Sequence, residues 1–263
     1  MPDSLPICHL IVDHSPCDGA FNMAMDAALL SLAVQSSHSV VRIYRWLAPT
    51  VSLGYFQANA SPATNPFPQL TTVRRLSGGG AILHDHEWTY SCVLPPSHPA
   101  RHDPSKLYTI VHSALIQLLA DCYAPCRLRS SAETPIPHAP STHTNSTSPD
   151  PEHFLCFLRG NPNDIVHANG PKIVGSAQRR RLGAILQHGS ILMQASSLTP
   201  ELPGILDLSP NFLASHFASK LPDTVAATVA TDWHRRDYSP TELQLAAEIL
   251  QQQNPLPSHG SGQ

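Results

Sequence analysis

The side chains that could perform chemistry are concentrated in three short segments, the first of which is a glycine run. Residues 74–80 read Arg-Arg-Leu-Ser-Gly-Gly-Gly. Consecutive glycines let the backbone approach a ligand closely, and N–H groups exposed in such a loop can bind an anion or a carbonyl oxygen. Because side chains alternate along a strand, one of Arg74 and Arg75 can face a ligand. The run predicts one wall of a small-molecule site, with an ordinary hairpin and a mobile tip as the alternative.

The second segment contains a lysine between a tight turn and several small residues. Residues 170–179 read Gly-Pro-Lys-Ile-Val-Gly-Ser-Ala-Gln-Arg. The ammonium group of Lys172 could donate hydrogen bonds to a bound carbonyl or phosphate, and the small residues leave room for a narrow ligand. A solvated lysine in a hairpin is the competing interpretation.

The third segment centres on the thiol of Cys156, which lies between Leu155 and Phe157. Residue chemistry alone favours a buried structural thiol there, with a nucleophile as the alternative. The six cysteines show no metal-finger spacing, and we expect free thiols in a reducing cytosol.

A histidine-based metal site is a further alternative. His84 and His86 would face the same side of a predicted strand, and His188 is a conceivable third ligand. Coincidental pairs are expected among 16 histidines, and no cysteine or carboxylate completes a compact set. We therefore predict no metal site.

The strands that must position these segments are indicated by β-rich runs. Residues 40–46 and 50–56 are predicted as strands paired across a turn at Ala48-Pro49. Residues 71–75 and 81–91 flank the glycine run and are predicted as two further strands. Later strands are predicted around 173–174, 184–186 and 190–193.

Helices are indicated by apolar residues at helical spacing. Residues 21–32 are predicted as an amphipathic helix, with Asp18 as a cap near its start. A second apolar stripe runs from Leu107 through Ile110 to Leu119. Helix starts are predicted at Asp103-Pro104, at Ser209-Pro210 and at the capping box Ser239-Pro-Thr-Glu242.

Length and composition predict one enzyme-sized domain over residues 1–252 of the 263-residue chain. Residues 130–153 are rich in Pro, Ser, Thr and His without hydrophobic periodicity, which predicts a flexible insertion. Residues 253–263 are predicted to be a disordered tail.

Charge and hydropathy restrict the functional class. The formal net charge is −3 at pH 7, which argues against a surface that wraps nucleic acid. No apolar run is long enough to span a bilayer, and the first residues, Met-Pro-Asp-Ser-Leu-Pro, lack the features of a signal peptide. We expect a cytoplasmic enzyme that binds neither nucleic acid nor membrane.

Taken together, these segments resemble the biotin/lipoate protein ligase family, in its lipoate ligase and octanoyltransferase branch. The most specific match is Arg-Arg-x-Ser/Thr-Gly-Gly-Gly-Ala-x-x-His followed by Glu-x-Thr-Tyr-Ser, with Gly-x-Lys-Ile-x-Gly-Ser-Ala downstream. The matching residues are 22–26, 42–46, 49–57, 74–91 and 170–192. Ala27 stands where relatives commonly have glutamate, and Ser77 replaces a more usual threonine.

The resemblance implies an α/β (α+β) fold with a mixed, largely antiparallel sheet and flanking helices, like class II aminoacyl-tRNA synthetases and biotin synthetases. It also implies a tunnel for an eight-carbon acyl chain beside the glycine loop, with Lys172 polarising the acyl carbonyl. The substrate-binding residues it implies are Arg74, Arg75, Ser77, Gly78, Gly79, Gly80, His84, Gly175, Ser176, Ala177, His188 and Gly189.

Two reactions occur within this branch: ATP-dependent ligation through an acyl-adenylate, and transfer through a cysteine thioester. In one-domain octanoyltransferases a Cys-Phe pair precedes the lysine motif, and Cys156-Phe157 stands 16 positions before Lys172. The run 186–192 also resembles that group, and we expect no accessory C-terminal domain of the kind that many ligases carry. The resemblance therefore implies that Cys156 and Lys172 are catalytic. The insertion 130–153 precedes Cys156 directly.

The implied reaction transfers an octanoyl or lipoyl group from octanoyl-acyl carrier protein to the target lysine of lipoyl-domain proteins. The acceptors implied are the glycine cleavage H protein and the E2 subunits of 2-oxoacid dehydrogenases. Transfer needs no cofactor, whereas the ligase alternative needs ATP and Mg²⁺. A non-catalytic acyl-binding protein is the third interpretation.

Overall fold

The computed structural model describes residues 7–58, 65–129 and 154–253. The predicted insertion 130–153 lies outside the described residues, as does the predicted tail apart from Gln253, which ends a helix. Strands β1 to β11 are Cys8–Val12, Ser39–Tyr44, Thr50–Leu53, Thr71–Arg74, Ile82–His84, Glu87–Leu94, Cys126–Leu128, Ile165–His167, Lys172–Arg181, Ala184–Leu192 and Trp233–Arg235. Helices α1 to α5 are Gly19–Ala33, Ser105–Asp121, Ile205–Leu208, Ala214–Ala226 and Pro240–Gln253, and 3₁₀ turns lie at Pro99–His102 and Cys156–Leu158.

The main sheet has eight strands in the order β11-β1-β2-β6-β10-β9-β8-β7. Only the β11-β1 and β1-β2 pairs are parallel, so the mixed, largely antiparallel sheet is confirmed. Consecutive residues of one strand enter different cores: Val41 packs in the core that contains α2 and α4, whereas Val40 packs in the core that contains α1 and α5. Helices therefore cover both faces of the sheet.

The predicted pairing of residues 40–46 with 50–56 is wrong. Strand β2 pairs with β1 and β6 in the main sheet, whereas β3 is the middle strand of a separate sheet, with β4 parallel and β5 antiparallel to it. The chain does not turn back after β2 because Cys17 binds its continuation: Cys17 N donates to Arg45 O and Leu47 N donates to Cys17 O. This pairing carries the chain away from the main sheet.

Residues 81–91 do not form one strand. Strand β5 ends at His84, the chain bends at Asp85 and His86, and β6 starts at Glu87 in the other sheet. His84 is consequently buried, whereas the side chain of His86 is 54% exposed, so the prediction that they face the same side is wrong. Because β4 and β5 lie on opposite edges of β3, the glycine run crosses from one edge to the other. It is not the tip of a hairpin.

The helix predictions are largely confirmed. Asp18 Oδ1 accepts a hydrogen bond of 2.8 Å from Phe21 N at the start of α1. The capping box of α5 is present, since the Glu242 carboxylate accepts from Ser239 N at 2.7 Å. In α2 the cap Pro104 precedes the first helical residue, Ser105, and Ile110 is 47% exposed rather than part of the buried stripe.

The helix start predicted at Ser209-Pro210 is wrong. Ser209 instead ends the short helix α3, where its N–H donates to Ile205 O. Its hydroxyl lies 3.1 Å from His167 Nε2, which holds it against β8, and α4 begins only at Ala214. No helix in the described ranges is long and apolar enough to cross a membrane.

Candidate active site

A cavity of about 400 Å³ lies where the glycine run meets the strands β9 and β10. Its size is that of a small-molecule site. It brings together the predicted residues Arg75, Gly78, Gly79, Gly80, His84, Cys156, Lys172, Gly175, Ser176, Ala177, His188 and Gly189. Arg74 and Ser77 lie behind the glycine run instead and do not line the cavity.

The glycine run is held from beneath by the side chain of Arg75. Arg75 Nη2 donates to the carbonyl oxygens of Gly78 and Gly80 at 2.9 and 2.5 Å, and Nη1 donates to Ser52 O at 2.8 Å. Burial lowers the pKa of Arg75 to about 10, so the guanidinium stays charged at neutral pH. A cation therefore holds the carbonyl side of the loop.

The N–H groups of the three glycines differ from the carbonyls in their partners. No acceptor within the described ranges binds the N–H of Gly78, Gly79 or Gly80. Gly79 has φ of +95°, a conformation that favours glycine. Pinned carbonyls and available N–H groups make this loop suited to bind a carbonyl oxygen.

Arg74 points away from Arg75, as expected for consecutive strand residues. Its Nη1 donates to Gly54 O at 2.8 Å and to Gln57 O at 2.7 Å, which anchors the turn after β3. A Cβ on Gly54 would lie 2.1 Å from Gly79 O, so this turn and the glycine run touch through a glycine. Arg74 thus supports the loop from outside the cavity.

The thiol of Cys156 is brought to the loop by short backbone pairing. Cys156 N donates to Ala81 O at 2.7 Å, and Ala81 N donates to Phe154 O at 2.8 Å. Cys156 Sγ lies 3.9 Å from the point where a Cβ on Gly79 would stand. Gly79 and Cys156, which are 77 positions apart in sequence, are therefore adjacent in the site.

Lys172 is the cation next to this thiol. Its Nζ lies 3.9 Å from Cys156 Sγ, 3.3 Å from Cys156 O and 3.0 Å from Asp164 Oδ1. The side chains of Lys172 and Asp164 are 4% and 5% exposed. A Cβ on Gly175 would lie 2.8 Å from Lys172 Cε, so this glycine provides the space that the lysine occupies.

Asp164 is a site residue that sequence reasoning missed. Burial raises the pKa of its carboxyl, against the opposing effect of Lys172. Asn161 N donates to its Oδ2 at 2.7 Å, which holds the carboxylate in place. The residue lies eight positions before Lys172 in an irregular loop, where no periodicity or spacing indicated a role.

A serine–histidine–aspartate chain supports the glycine run from the α1 side. Ser77 Oγ lies 2.5 Å from His188 Nε2, and His188 Nδ1 donates to Asp26 Oδ2 at 3.0 Å. Arg42 Nη1 lies 3.5 Å from Asp26 Oδ1. Burial alone would raise the pKa of Asp26, but the hydrogen bond and charge of His188, with the charge of Arg42, lower it.

A second serine–histidine pair lies on the α2 side. Ser176 Oγ is 2.6 Å from His112 Nε2, and His112 Nδ1 is 2.5 Å from Asn163 O. Burial lowers the pKa of His112 to about 4. His112 was missed because it falls on a buried face of a helix, where a histidine is usually structural.

His84 belongs to a third polar cluster in the wall. Its Nε2 lies 2.7 Å from Ser52 Oγ, its Nδ1 lies 2.8 Å from Glu87 Oε1, and its ring stacks on Trp46 at 3.7 Å. Burial lowers the pKa of His84. Both ring nitrogens are thus already engaged, and in the described ranges no three His, Cys, Asp or Glu side chains are grouped to hold a metal.

Part of the cavity lining is apolar. Met23, Trp46 and Ile82 contribute here, together with the buried ring of Tyr44. An alkyl chain could be bound against these side chains while its carboxyl end faces the polar groups.

Comparison with known proteins gives a consistent result. The profile of the family described as Lipoyl protein ligase A/B catalytic domain matches residues 18–229. The octanoyltransferase LipM of Macrococcus caseolyticus is 36% identical over 177 residues, which cover 65% of this chain and 61% of that protein. The octanoyltransferase LipM of Lysinibacillus sphaericus is 31% identical over 216 residues, covering 80% of this chain and 74% of that protein.

Solved structures show the same fold. A putative lipoate protein ligase from T. acidophilum with bound lipoic acid has a TM-score of 0.69 at 20% identity, covering 93% of this chain and 94% of that one. A lipoate-protein ligase A bound with ATP also has a TM-score of 0.69 at 20% identity, covering 94% of each chain.

Proposed function

Because this chain belongs to the lipoyl protein ligase A/B catalytic-domain family, we propose that it is an octanoyltransferase that works through a thioester on Cys156. The substrate is an octanoyl or lipoyl group, and the product is the acylated lysine of a lipoyl domain. The relatives named octanoyltransferase LipM support this proposal over the ligase alternative.

The observation that carries the proposal is the 3.9 Å contact between Cys156 Sγ and Lys172 Nζ beside the available N–H groups of the glycine run. We infer that the thiol, the ammonium group and the loop N–H groups act as nucleophile, cation and oxyanion donors around one acyl carbon. An adenylate-forming ligase has no need of a thiol at that point.

In the first step, the sulfur of Cys156 attacks the thioester carbon of octanoyl-acyl carrier protein. The new C–S bond forms as the bond to the carrier's sulfur breaks, and the thiol proton of Cys156 passes to the departing carrier thiolate. The ammonium of Lys172 stabilises negative charge on the attacking sulfur, and loop N–H groups stabilise the tetrahedral oxyanion.

In the second step, the amine of the acceptor lysine attacks the same carbon. The C–N bond forms, the bond to Cys156 sulfur breaks, and the proton lost by nitrogen restores the Cys156 thiol. Asp164 positions Lys172 through both steps by its 3.0 Å ion pair. The apolar residues of the cavity bind the alkyl chain, and the glycine run binds the reacting carbonyl.

The partners are those that the family resemblance implies. We propose octanoyl-acyl carrier protein as donor, and the glycine cleavage H protein and E2 subunits as acceptors, in the cytoplasm. A solved structural neighbour is a bipartite lipoate protein ligase with its E2 lipoyl domain, which supports a lipoyl domain as acceptor. The reaction as proposed needs no cofactor.

The test is intact-mass analysis after incubation with octanoyl-acyl carrier protein. We expect one octanoyl adduct on the wild type and none on Cys156→Ser. Cys126→Ser is a matched control, since Cys126 is a partly buried thiol outside the cavity. An adduct that survives Cys156→Ser would overturn the mechanism.

The same preparation distinguishes the ligase alternative. If the protein is a ligase, pyrophosphate is released from ATP only when lipoate is present, and no octanoyl adduct forms. Bound octanoate without turnover in either assay is the result expected of an acyl-binding protein.

A further inference from the structure

The direction of every hydrogen bond around Ser176 can be deduced from chemistry. The carbonyl oxygen of Asn163 only accepts, so His112 Nδ1 carries a proton and donates to it over 2.5 Å. The imidazole is neutral, because burial keeps its pKa at about 4. His112 Nε2 therefore has no proton and accepts the Ser176 hydroxyl proton over 2.6 Å.

The second neighbour of Ser176 must then donate. Tyr90 Oη lies 2.6 Å from Ser176 Oγ, and the only proton of Ser176 is already given to His112. Tyr90 is thus the donor, and it in turn accepts from Gln187 Nε2 at 3.4 Å. A chain of neutral groups thus fixes the orientation of the serine hydroxyl.

The contact between Tyr90 and Ser176 depends on a glycine between them. Gly189 of β10 pairs with Ser176 of β9 on one side and with Tyr90 of β6 on the other. A Cβ on Gly189 would lie 2.5 Å from Ser176 Oγ and 2.7 Å from the Tyr90 ring. The absence of a side chain at Gly189 lets the two hydroxyls meet across the strand.

Ser176 therefore presents an acceptor to the cavity. A hydroxyl has one proton and two lone pairs, and here Tyr90 uses one lone pair. Ser176 lines the cavity and is only partly buried, so its second lone pair can be reached by a ligand. The group that fits there is an N–H or O–H donor.

We propose that Ser176, oriented by His112, binds the N–H of the attacking lysine amine during acyl transfer from Cys156. This inference rests on the proposed octanoyltransferase function. The thioester carbonyl, the sulfur and the alkyl chain have no proton to donate, whereas the amine has two in its reactive, neutral form. One N–H bonds to Ser176, which directs the nitrogen lone pair at the acyl carbon.

In this arrangement Ser176 is a catalytic residue for the second step, and His112 is a positioning residue that acts through it. The amine N–C bond forms and the bond to Cys156 sulfur breaks, with the amine proton ending on that sulfur. Ser176 and His112 keep their own protons throughout.

The test separates the two half-reactions. The octanoyl-enzyme is prepared with octanoyl-acyl carrier protein, freed of donor, and mixed with a lipoyl domain while intact mass follows loss of the adduct. We expect Ser176→Ala to slow this loss about 10-fold or more relative to the wild type. Its effect on adduct formation should be at least fivefold smaller.

Variants of neighbouring positions make the result specific. Ser176→Thr keeps the hydroxyl and should restore the second step to within about threefold. His112→Gln should slow the second step more than the first, with unchanged circular dichroism. Ser113→Ala, at the exposed neighbour of His112 on α2, is the control and should match the wild type in both steps.

The alternative source of an N–H is the amide of the carrier's pantetheine arm. In that case Ser176→Ala would slow adduct formation as much as adduct loss, which would overturn the inference and leave the thioester route intact. Absence of the adduct on the wild type would overturn both.

Discussion

Two serine–histidine pairs, Ser77 with His188 and Ser176 with His112, lie on opposite faces of the main sheet. His188 of β10 pairs with Ala177, whereas Ser176 of β9 pairs with Gly189, so His188 and Ser176 point to opposite faces. In each pair the histidine has a third partner: His188 is bonded to the Asp26 carboxylate of α1, and His112 is bonded to the backbone carbonyl of Asn163.

The third partner gives the two pairs different properties. The carboxyl group of Asp26 is negatively charged, because its pKa is lowered in spite of burial. It also joins the network around the buried guanidinium of Arg42. The second pair is neutral throughout and ends at a backbone carbonyl. The charged pair is expected to stabilise the fold and the glycine run, whereas the neutral pair leaves an acceptor facing the cavity.

The largest expected effect is on the charged pair. Asp26→Asn leaves Arg42 and His188 without one of their compensating carboxylates inside the protein, so we expect a loss of roughly 4 kcal/mol in the free energy of unfolding, measured with urea. Asp18→Asn, at the cap of the same helix, is the control, because asparagine caps a helix as well as aspartate. Equal stabilities of the two variants would show that the Asp26 charge does not stabilise the fold.

The contact that holds the neutral pair can be broken by adding one methyl group. Gly189→Ala places a Cβ 2.5 Å from Ser176 Oγ, so Tyr90 or Ser176 must move. We expect a loss of roughly 2 to 3 kcal/mol in urea unfolding, and slower loss of the octanoyl adduct. Gly160→Ala should cost less stability, since its nearest neighbour would be Arg129 Nη1 at 3.4 Å.

The neutrality of His112 predicts a pH dependence of stability. Its pKa is about 4 in the folded protein against 6.5 ordinarily, so between these values the unfolded chain binds a proton that the folded protein does not. This contribution to stability is present above pH 6.5 and is lost as the pH falls towards 4. We expect the wild type to lose about 2 kcal/mol more than His112→Gln between pH 7 and pH 5 in urea unfolding. Parallel losses in the two proteins would contradict a neutral His112.

The smallest effect distinguishes the two serines. Ser77→Ala removes one buried hydrogen bond to His188, for which we expect a loss of about 1 kcal/mol in stability. Because Ser77 does not line the cavity, both half-reactions should slow in the same proportion. Ser77→Thr keeps the hydroxyl and should recover the stability. A selective loss of the second step would assign Ser77 the role proposed for Ser176.

Several elements could be predicted from the sequence because their signals are local. Asp18 and Glu242 cap their helices through residues within three positions. The short apolar runs 173–174, 184–186 and 190–193 predicted strands, which the structure extends to Lys172–Arg181 and joins into the single strand Ala184–Leu192. The glycine run, Cys156 and Lys172 stood out by residue type and motif, and they do line one cavity.

The partners of these residues could not be predicted, because they come from distant elements. Nothing in the sequence near His188 indicates Asp26, and nothing near Ser176 indicates His112, since each contact crosses between a helix and the sheet. The wrong pairing of β2 with β3 has the same cause: backbone bonds to Cys17, far back in the chain, carry the strand away.

The sequence by itself determined which reactive residue types were present, and its motifs, through the resemblance to a known family, implied acyl chemistry and the class of fold, because a motif is a property of nearby residues. Only the tertiary structure decided that Cys156 lies 3.9 Å from Lys172, that Asp164 holds the lysine, and which hydrogen-bond direction Ser176 adopts. These depend on distance, burial and the third partner of each histidine, which exist only when the sheet and its two helical layers are assembled.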